Sequence, residues 1–381
     1  MTWRDGFAAW RHFETRHPVP WRVGVGGLFG GSLAAVLMAV GALTASRDAR
    51  IALVSVLAVL ALLLGRRLFW NDGERRLRTL FRLVGFFAIA GLLGRAAEAV
   101  GLAPNRTAMF AGGSPTMFRG TLVGLTVLTL AALLAVRFLD RRPVRELGIV
   151  PGPGFWGDLA FGLGLGVLLM TLIFAVEWLL GWVEVVKVGW MRPPDTSFRR
   201  AFLYMTGVFL AVGFYEELGS RGYLLRAFAQ GLVGRRISPP WAIVLAVGLS
   251  SAIFGFGHIH NPNATWVSTV NIILAGVVLA LPFILTGRLA GSIGLHITWN
   301  LFQGCVYGLP VSGLIAPVSV LGIEQRGPSA WTGGSFGPEA GLLGVCAMLL
   351  GAALIIGRER WRRGHATLYA GLVDGGAAIR G

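Results

Sequence analysis

Two adjacent glutamates lie in the middle of a strongly apolar stretch. The segment GFYEELGSRGYLLRAF, residues 213–228, carries Glu216 and Glu217 within a hydrophobic run that starts at Ala201. Glu217 and Arg221 are four residues apart with the acid first, which is the favourable order for an ion pair on one helix face. Glu216 is turned about 100° away from that face and is free for another role. A purely structural pair of buried charges accounts for the same pattern equally well.

Two later segments place histidines and an asparagine at helical spacing. Phe254 and His258 are four apart in SAIFGFGHIHNPNAT, and His296 and Asn300 are four apart in AGSIGLHITWNLFQG. Side chains four apart face one point from adjacent turns. Two donors such as His296 and Asn300 can hold an oxygen on which negative charge develops, or they can join membrane helices by hydrogen bonds. A lone histidine such as His258 is more often a structural hydrogen-bonding residue than a catalyst.

The three segments together supply the components of a water-activating hydrolase. Glu216 is a candidate base and His258 a second acid–base group, while His296 and Asn300 form a candidate donor pair. A charged side chain in hydrocarbon is costly, so such residues usually face the bundle interior and have a partner. We therefore expect the three segments to converge on one site.

The elements that position these residues are predicted to be membrane helices. Of the 381 residues 55% are hydrophobic and 14% are charged, against roughly 25% charged in a soluble domain, and the mean hydropathy is +0.68. A helix needs about 20 apolar residues to cross a ~30 Å hydrocarbon core. The sequence predicts an all-α, polytopic transmembrane helical bundle of about 8–10 spans, with candidates at Val23–Ala45, Ile51–Leu64, Leu80–Leu102, Thr121–Val136, Leu159–Val183, Ala201–Phe228, Trp241–Phe256, Val267–Thr286, Ala290–Leu309 and Ala340–Gly357.

The polar motifs occupy one part of this chain. Aromatic residues recur at helical spacing near the start, which predicts an interfacial helix or tail, and a stretch rich in Gly, Pro and Ser predicts a loop outside the membrane. The predicted parts are the N-terminal helix or tail (1–22), accessory transmembrane helices (23–146), the catalytic transmembrane core (147–310), the external loop (311–339), and the last transmembrane helix with a basic cytoplasmic tail (340–381).

The net charge of +16 reflects membrane topology rather than nucleic-acid binding. The basic residues lie in short clusters between apolar runs and concentrate in every second connecting segment, which predicts that both termini are cytoplasmic. Lys187 is the only lysine among the 34 basic residues, as expected from GC-rich coding, which favours a bacterial inner (plasma) membrane. The predicted partners are the lipid bilayer and a substrate, without nucleic acid. The sequence does not indicate an oligomeric state.

At this point the sequence resembles a known family, the CPBP intramembrane proteases, which include the eukaryotic CAAX prenyl endopeptidase. The similarity covers roughly Leu147 to Gly308, and Ser220 stands where relatives often carry an aromatic residue. The resemblance rests on three motifs in the same order, namely EExxxR (Glu216 to Arg221), FxxxH (Phe254 to His258) and HxxxN (His296 to Asn300).

The resemblance implies a glutamate-dependent endopeptidase that uses no metal cofactor. By position, Glu216 would be the general base that activates water, assisted by His258. His296 and Asn300 would form the oxyanion hole. The supporting pair that fixes and tunes the base would be the other two motif residues, Glu217 and Arg221. The substrate class is a peptide or a membrane-tethered protein segment, and the family implies a cavity that opens to the cytoplasm.

Three other functions remain open from the residues alone. Two glutamates and the histidines could bind zinc, although no HExxH pair lies on one helix. Intramembrane acids and histidines also serve proton relays in transporters, but the sequence shows no inverted repeat of the kind that transporters have. A non-catalytic membrane scaffold or immunity protein would use the same residues only to hold helices together.

The predicted span boundaries place the site residues at different depths. His258 lies near one end of its span and His296 near the opposite end of the bundle, with Glu216 between them. Straight helices with these boundaries would keep the three apart. Convergence requires the long Ala201–Phe228 span to deform, or the glycine-rich end before Asn261 to unwind.

Overall fold

The computed structural model describes residues 70–71, 76–104, 113–192, 197–234 and 236–374, which are mostly helical. Eight long helices dominate, and all except α7 are long and apolar enough to cross a membrane. They are α1 (Thr79–Ala99), α2 (Ser114–Leu139), α3 (Pro153–Leu179), α4 (Phe198–Leu232), α5 (Pro239–Gly257), α6 (Trp266–Thr286), α7 (Ala290–Leu301, continued by a π-helical turn at Phe302–Val306) and α8 (Leu342–Arg363).

These helices confirm the predicted helical transmembrane bundle. Each of the last eight predicted spans overlaps one of these helices, although some ends differ by six or seven residues, as at the start of α2 and α3 and the end of α8. The first two predicted spans, Val23–Ala45 and Ile51–Leu64, and the predicted interfacial helix of residues 1–22 lie outside the described residues.

Short antiparallel strands, which the sequence analysis did not predict, accompany the helices. Strands β1 (Trp70–Asn71) and β2 (Arg76–Leu77) pair next to α1. Strand β3 (Val183–Met191) follows α3 and pairs with β4 (Val318–Gln325). Strand β4 lies inside the segment 311–339, which therefore contains regular structure rather than loop alone. Its β-branched residues fit a strand, and its first two residues, Val318 and Ser319, are buried.

Helix α7, which carries the HxxxN motif, packs closely between α3 and α4 through glycines. A Cβ atom at Gly162 of α3 would lie 2.2 Å from the Gly291 carbonyl oxygen of α7, and one at Gly213 of α4 would lie 3.0 Å from the Ile297 nitrogen. Small residues let membrane helices approach until their backbones touch. The positions of the α7 side chains are thereby fixed relative to α3 and α4.

Helix α4 is 35 residues long and changes its winding at the EExxxR motif. It is α-helical from Phe198 to Glu217, π-helical over Leu218–Leu225, and α-helical again from Arg226. A π-helical stretch redirects the side chains that follow it, and such stretches are frequent at functional sites. The deformation expected of the long span is therefore present at the motif itself.

Helix α5 ends directly before the histidine of the FxxxH motif. Its last residue is Gly257, and His258 follows as the C-cap. The chain then turns, and α6 begins with a capping box in which Thr265 and Ser268 exchange hydrogen bonds with each other's backbone. His258 therefore belongs to the turn between the two helices.

Candidate active site

A cavity of about 520 Å³ lies within the bundle, in the size range of small-molecule sites. Its wall is mostly apolar. The four residues predicted as catalytic, Glu216, His258, His296 and Asn300, all line it. The conflict in depth that the predicted boundaries created is absent, because α4 changes its winding beside Glu216 and α5 ends before His258.

The expected ion pair between Glu217 and Arg221 is present. The two side chains are fully buried, and an Arg221 Nη atom lies 2.8 Å from Glu217 Oε1. Arg221 also donates to the Gly276 carbonyl of α6 over 3.1 Å, and its guanidinium lies 4.4 Å from the centre of the Phe254 ring on α5. Arg221 therefore joins α4, α5 and α6, and Phe254 of the FxxxH motif contacts this cation, a role that spacing alone did not reveal.

His296 lies between the two adjacent glutamates. Its Nδ1 is 2.8 Å from Glu217 Oε1, and its Nε2 is 3.9 Å from Glu216 Oε2. An ionised carboxylate can only accept hydrogen bonds, so with Glu217 ionised the Nδ1–H donates to it. In the neutral imidazole Nε2 then carries the lone pair and faces Glu216. Glu217 thus fixes the ring between Arg221 and the cavity.

The two glutamates differ in their access to the cavity. Glu217 is completely buried, and its Oε1 is shared by Arg221 and His296. Glu216 has 24% of its side chain exposed and lines the cavity. Of the pair, Glu216 is the carboxylate that a water molecule or substrate in the cavity can reach.

His258 has a defined tautomer when it is neutral. Its Nδ1 lies 2.8 Å from the Phe254 carbonyl oxygen, which can only accept, so Nδ1 carries the proton. The lone pair of the neutral ring is then on Nε2. Since the side chain lines the cavity, this nitrogen can take a proton there.

A further acid, Glu339, lines the cavity and was missed by the sequence analysis. It accepts hydrogen bonds from Gln303 Nε2 over 2.6 Å and from the Ser312 backbone nitrogen over 3.1 Å. Burial raises the pKa of Glu339 to about 7, although these hydrogen bonds oppose the shift. The signal in the sequence was an acid in GPEAG, immediately before an apolar span, which was assigned to an external loop.

The segment 311–316 forms one wall of the cavity. Ser312 has a φ of +47°, a conformation that non-glycine residues rarely adopt, and it is held there from both sides. Glu339 binds its backbone nitrogen, and Asn261 Nδ2 donates to its carbonyl over 3.0 Å. The wall is thereby connected both to α8 and to the turn that carries His258.

The cavity extends towards one end of the bundle. Among the described residues its lining comes from the middle of the helices and from the end that carries His258 and segment 311–316. None comes from the opposite end, where Arg226, Arg288 and Arg358 lie. With segment 311–339 outside the membrane as expected, the cavity would lie towards the outer end of the bundle, away from the cytoplasmic side to which the resemblance implies that it opens.

Within the ranges that the structure describes, no three His, Cys, Asp or Glu side chains are grouped so that they could hold a metal ion. The lining of the cavity includes the carboxylate of Glu216, the imidazoles of His258 and His296 and the amide of Asn300. These are groups for acid–base chemistry on a bound carbonyl.

Comparison with known proteins agrees with the motifs. Residues 198–302 match the family model described as type II CAAX prenyl endopeptidase Rce1-like. A curated relative, "Uncharacterized protein YyaK" of Bacillus subtilis (strain 168), is 27% identical over 206 residues, which cover 52% of this chain and 63% of the relative. No solved structure matches the chain. The matched segment contains Glu216, Arg221, His258, His296 and Asn300, so this part of the chain is similar to the Rce1-like CAAX prenyl endopeptidases, and the chain covers less than two thirds of the length of the curated relative.

Proposed function

We propose that the protein is an intramembrane endopeptidase in which Glu216 is the general base. The observation that carries the proposal is the difference between the two glutamates. Glu217 is buried and its Oε1 is shared by Arg221 and His296, whereas Glu216 faces the cavity. A base in hydrogen-bond reach of a water molecule can deprotonate it as it attacks a peptide carbonyl.

The other site residues have complementary roles in this proposal. His258, with its lone pair on Nε2, assists Glu216 in moving the proton. Asn300 donates to the carbonyl oxygen as it becomes negative. His296 can donate there through Nε2 only as an imidazolium, because its other nitrogen is turned to Glu217. Asn300 is therefore the donor of the pair that needs no change of protonation.

The proposed substrate is a membrane-associated peptide or a membrane-tethered protein segment. The cavity is lined mainly by apolar side chains such as Met205, Phe209 and Leu279, which fit an apolar stretch of polypeptide. Positive residues favour the cytoplasmic end of membrane helices. In this proposal the arginine-rich end, with the end of α8, lies in the cytoplasm, and the cavity opens at the outer face of a bacterial inner membrane.

The experiment compares the peptides cleaved by the purified protein and by Glu216→Gln in liposomes. General-base catalysis contributes about 10²–10⁴-fold to rate, and we expect a loss of that size in the variant with unchanged expression and folding. The matched control is Glu98→Gln, which makes the same change at an exposed acid of α1 outside the cavity lining. Full cleavage by Glu216→Gln would refute the assignment of Glu216 as the base, and a wild type that cleaves no peptide would favour a scaffold.

A second arm of the experiment tests the proposed independence from metal. We expect cleavage to persist after treatment with a strong zinc chelator, and the purified protein to contain no stoichiometric metal. Loss of activity that added zinc restores would replace the proposed mechanism by a zinc-dependent one. Substrate flux through the protein without cleavage would favour a transporter.

A further inference from the structure

A cluster of arginines lies at the end of the bundle opposite to cavity wall 311–316. It is built from the beginning of α3, the turn between α6 and α7, and the end of α8. Its centre is Asp158 of α3, whose side chain is only 2% exposed. Arg288, Arg358 and Arg362 each place a guanidinium nitrogen within 2.6 to 3.2 Å of this one carboxylate.

A second carboxylate, Glu359, completes the cluster. It lies 2.8 Å from a nitrogen of Arg358 and 2.9 Å from one of Arg363. Four guanidiniums therefore share two carboxylates, which leaves a formal excess of two positive charges. Each guanidinium has five N–H donors in a planar fork, more than the two carboxylates can accept from four of them.

The excess positive charge lies on the surface. Arg362 and Arg363 are 39% and 38% exposed, whereas Arg358, which contacts both acids, is 14% exposed. The ring of Phe161 lies 4.4 Å below the Arg358 guanidinium and holds it from the inside. The buried acids thus keep the inner guanidiniums fixed and the outer ones remain accessible.

The cluster is positioned at the interface between membrane and water. Trp156 on α3 and Trp361 on α8 are both largely exposed, and exposed tryptophans are typical of the headgroup level. From this level the two helices continue with exposed leucines, including Leu168 of α3 and Leu354 of α8. A molecule bound to the arginines would have apolar surface directly beneath it.

We propose that this cluster is a binding site for the phosphodiester headgroup of an anionic phospholipid. Arginine forks match phosphate oxygens and can bind them bidentately, and basic pockets between membrane helices are known to bind anionic headgroups. Arg362 and Arg363 contact the phosphate, while the lipid chains lie along the exposed leucines. A free phosphate has the same phosphate chemistry as the headgroup, but it has no acyl chains that could contact the exposed leucines. The proposed occupant is therefore the lipid.

The bound lipid joins three elements that the cluster already brings together. Its phosphate neutralises guanidiniums that otherwise repel one another at the ends of α8 and of the α6–α7 turn. Binding therefore stabilises the bundle in anionic membranes. This inference does not depend on the proposed peptidase activity, since no residue of the cluster lines the cavity.

The test measures lipid binding to the purified full chain by native mass spectrometry, with phosphatidylglycerol and phosphatidylcholine as probes. We expect phosphatidylglycerol to bind about fivefold or more tightly than phosphatidylcholine. The double variant Arg362→Gln/Arg363→Gln should lose this preference. It keeps Arg358 on both acids and Arg288 on Asp158, so it should fold.

The matched control is Arg137→Gln/Arg145→Gln. It removes the same charge from exposed residues at the same end of the bundle, and we expect the lipid preference to remain. If both double variants lost the preference for phosphatidylglycerol equally, the preference would come from the general attraction of anionic lipid to positive charge. This result would overturn the proposed site. If the first variant does not fold, Arg362→Gln alone serves in its place, and an unchanged preference in it would contradict the proposal.

Inorganic phosphate and glycerol phosphate, used as soluble probes, test whether the cluster binds a lipid headgroup or any soluble phosphate. We expect phosphatidylglycerol to raise the thermal unfolding temperature of the wild type but not of Arg362→Gln/Arg363→Gln. The soluble anions should have little effect at equal concentration. An equal rise with the soluble anions would replace the lipid site by a site for a soluble phosphate.

Discussion

The two ends of the bundle use the same ion-pair chemistry with opposite charge balance. Beside the cavity, one arginine, Arg221, faces two adjacent glutamates, and the carboxylate in excess is Glu216. At the other end four arginines surround Asp158 and Glu359, and guanidiniums are in excess. The group in excess decides the chemistry of each region. Beside the cavity it is a carboxylate, which can accept a proton, and in the arginine cluster it is a set of guanidiniums, which can bind an anion.

The largest expected effect follows from the Arg221 cation beside the cavity. In Arg221→Leu the fully buried Glu217 loses its guanidinium partner, and removal of one partner of a buried pair costs about 3–5 kcal/mol. Arg362→Gln should be nearly neutral, because Arg362 is partly exposed and Asp158 retains Arg288 and Arg358. Thermal unfolding of the two variants in detergent measures this contrast.

A double variant shows whether the stability cost of Arg221→Leu comes from the lost charge or from the lost packing contacts of Arg221. If the cost of Arg221→Leu comes from the uncompensated carboxylate, then Glu217→Gln/Arg221→Leu should recover part of the lost stability. No recovery would mean that the contacts of Arg221 with Gly276 and Phe254 carry the effect. An equal loss in Arg221→Leu and Arg362→Gln would contradict the comparison between the two ends.

The sequence revealed the local pairings of this architecture better than its long-range ones. The pair of Glu217 with Arg221 follows from helical spacing, because both lie on one helix. The contact of His296 with Glu217 joins residues 79 apart and depends on the glycine packing of α7 against α4, which periodicity does not encode. The arginine cluster was read only as a topology signal, since Asp158 lies some 130 residues or more from its partners.

The errors of the sequence analysis concentrate where backbone geometry departs from regular helices. Straight helices placed Glu216 and His258 at different depths, whereas in the structure both line one cavity and α4 becomes π-helical directly after Glu217. The conformation of the cavity wall that contains Ser312 was not predicted. Its conformation depends on Glu339 and Asn261, which are far apart in the chain.

The next effect in size concerns Glu339, a buried acid whose partners are neutral. Its pKa of about 7 in the fold exceeds the ordinary value of 4.5, so the folded state favours the protonated form. Stability should therefore be full below about pH 4.5 and fall as pH rises to about 7, by at most about 3.5 kcal/mol, since one pKa unit corresponds to about 1.4 kcal/mol. Glu339→Gln does not titrate and should flatten this dependence.

Thermal unfolding of wild type and Glu339→Gln between pH 4.5 and 8 measures the difference. Because Glu339 binds Ser312 in the cavity wall, cleavage should change over the same pH range as stability in the wild type. A wild-type curve with the same slope as that of Glu339→Gln would show that Glu339 does not titrate there. Arg362→Gln, at the other end, should keep the wild-type slope.

The smallest expected effect tests the contact that links the two ends. Helix α3 carries Asp158 at one end, and one turn further Gly162 packs against α7, which carries His296 and Asn300. An added Cβ at Gly162 would lie 2.2 Å from the Gly291 carbonyl oxygen, whereas at Gly164 it would meet nothing within 4 Å. Overpacking costs about 1–3 kcal/mol, so Gly162→Ala should destabilise the protein and Gly164→Ala should not.

The two alanine variants also show whether the α3–α7 contact positions the site residues on α7 or only stabilises the fold. In Gly162→Ala helix α7 has to move away from α3, because the obstructing atom belongs to the backbone, and this displaces Asn300 from its place in the cavity. Cleavage should therefore fall in Gly162→Ala even at temperatures where the variant is fully folded, while Gly164→Ala cleaves like the wild type. If the folded Gly162→Ala protein retained full activity, the α3–α7 contact would support the fold without setting the geometry of the site.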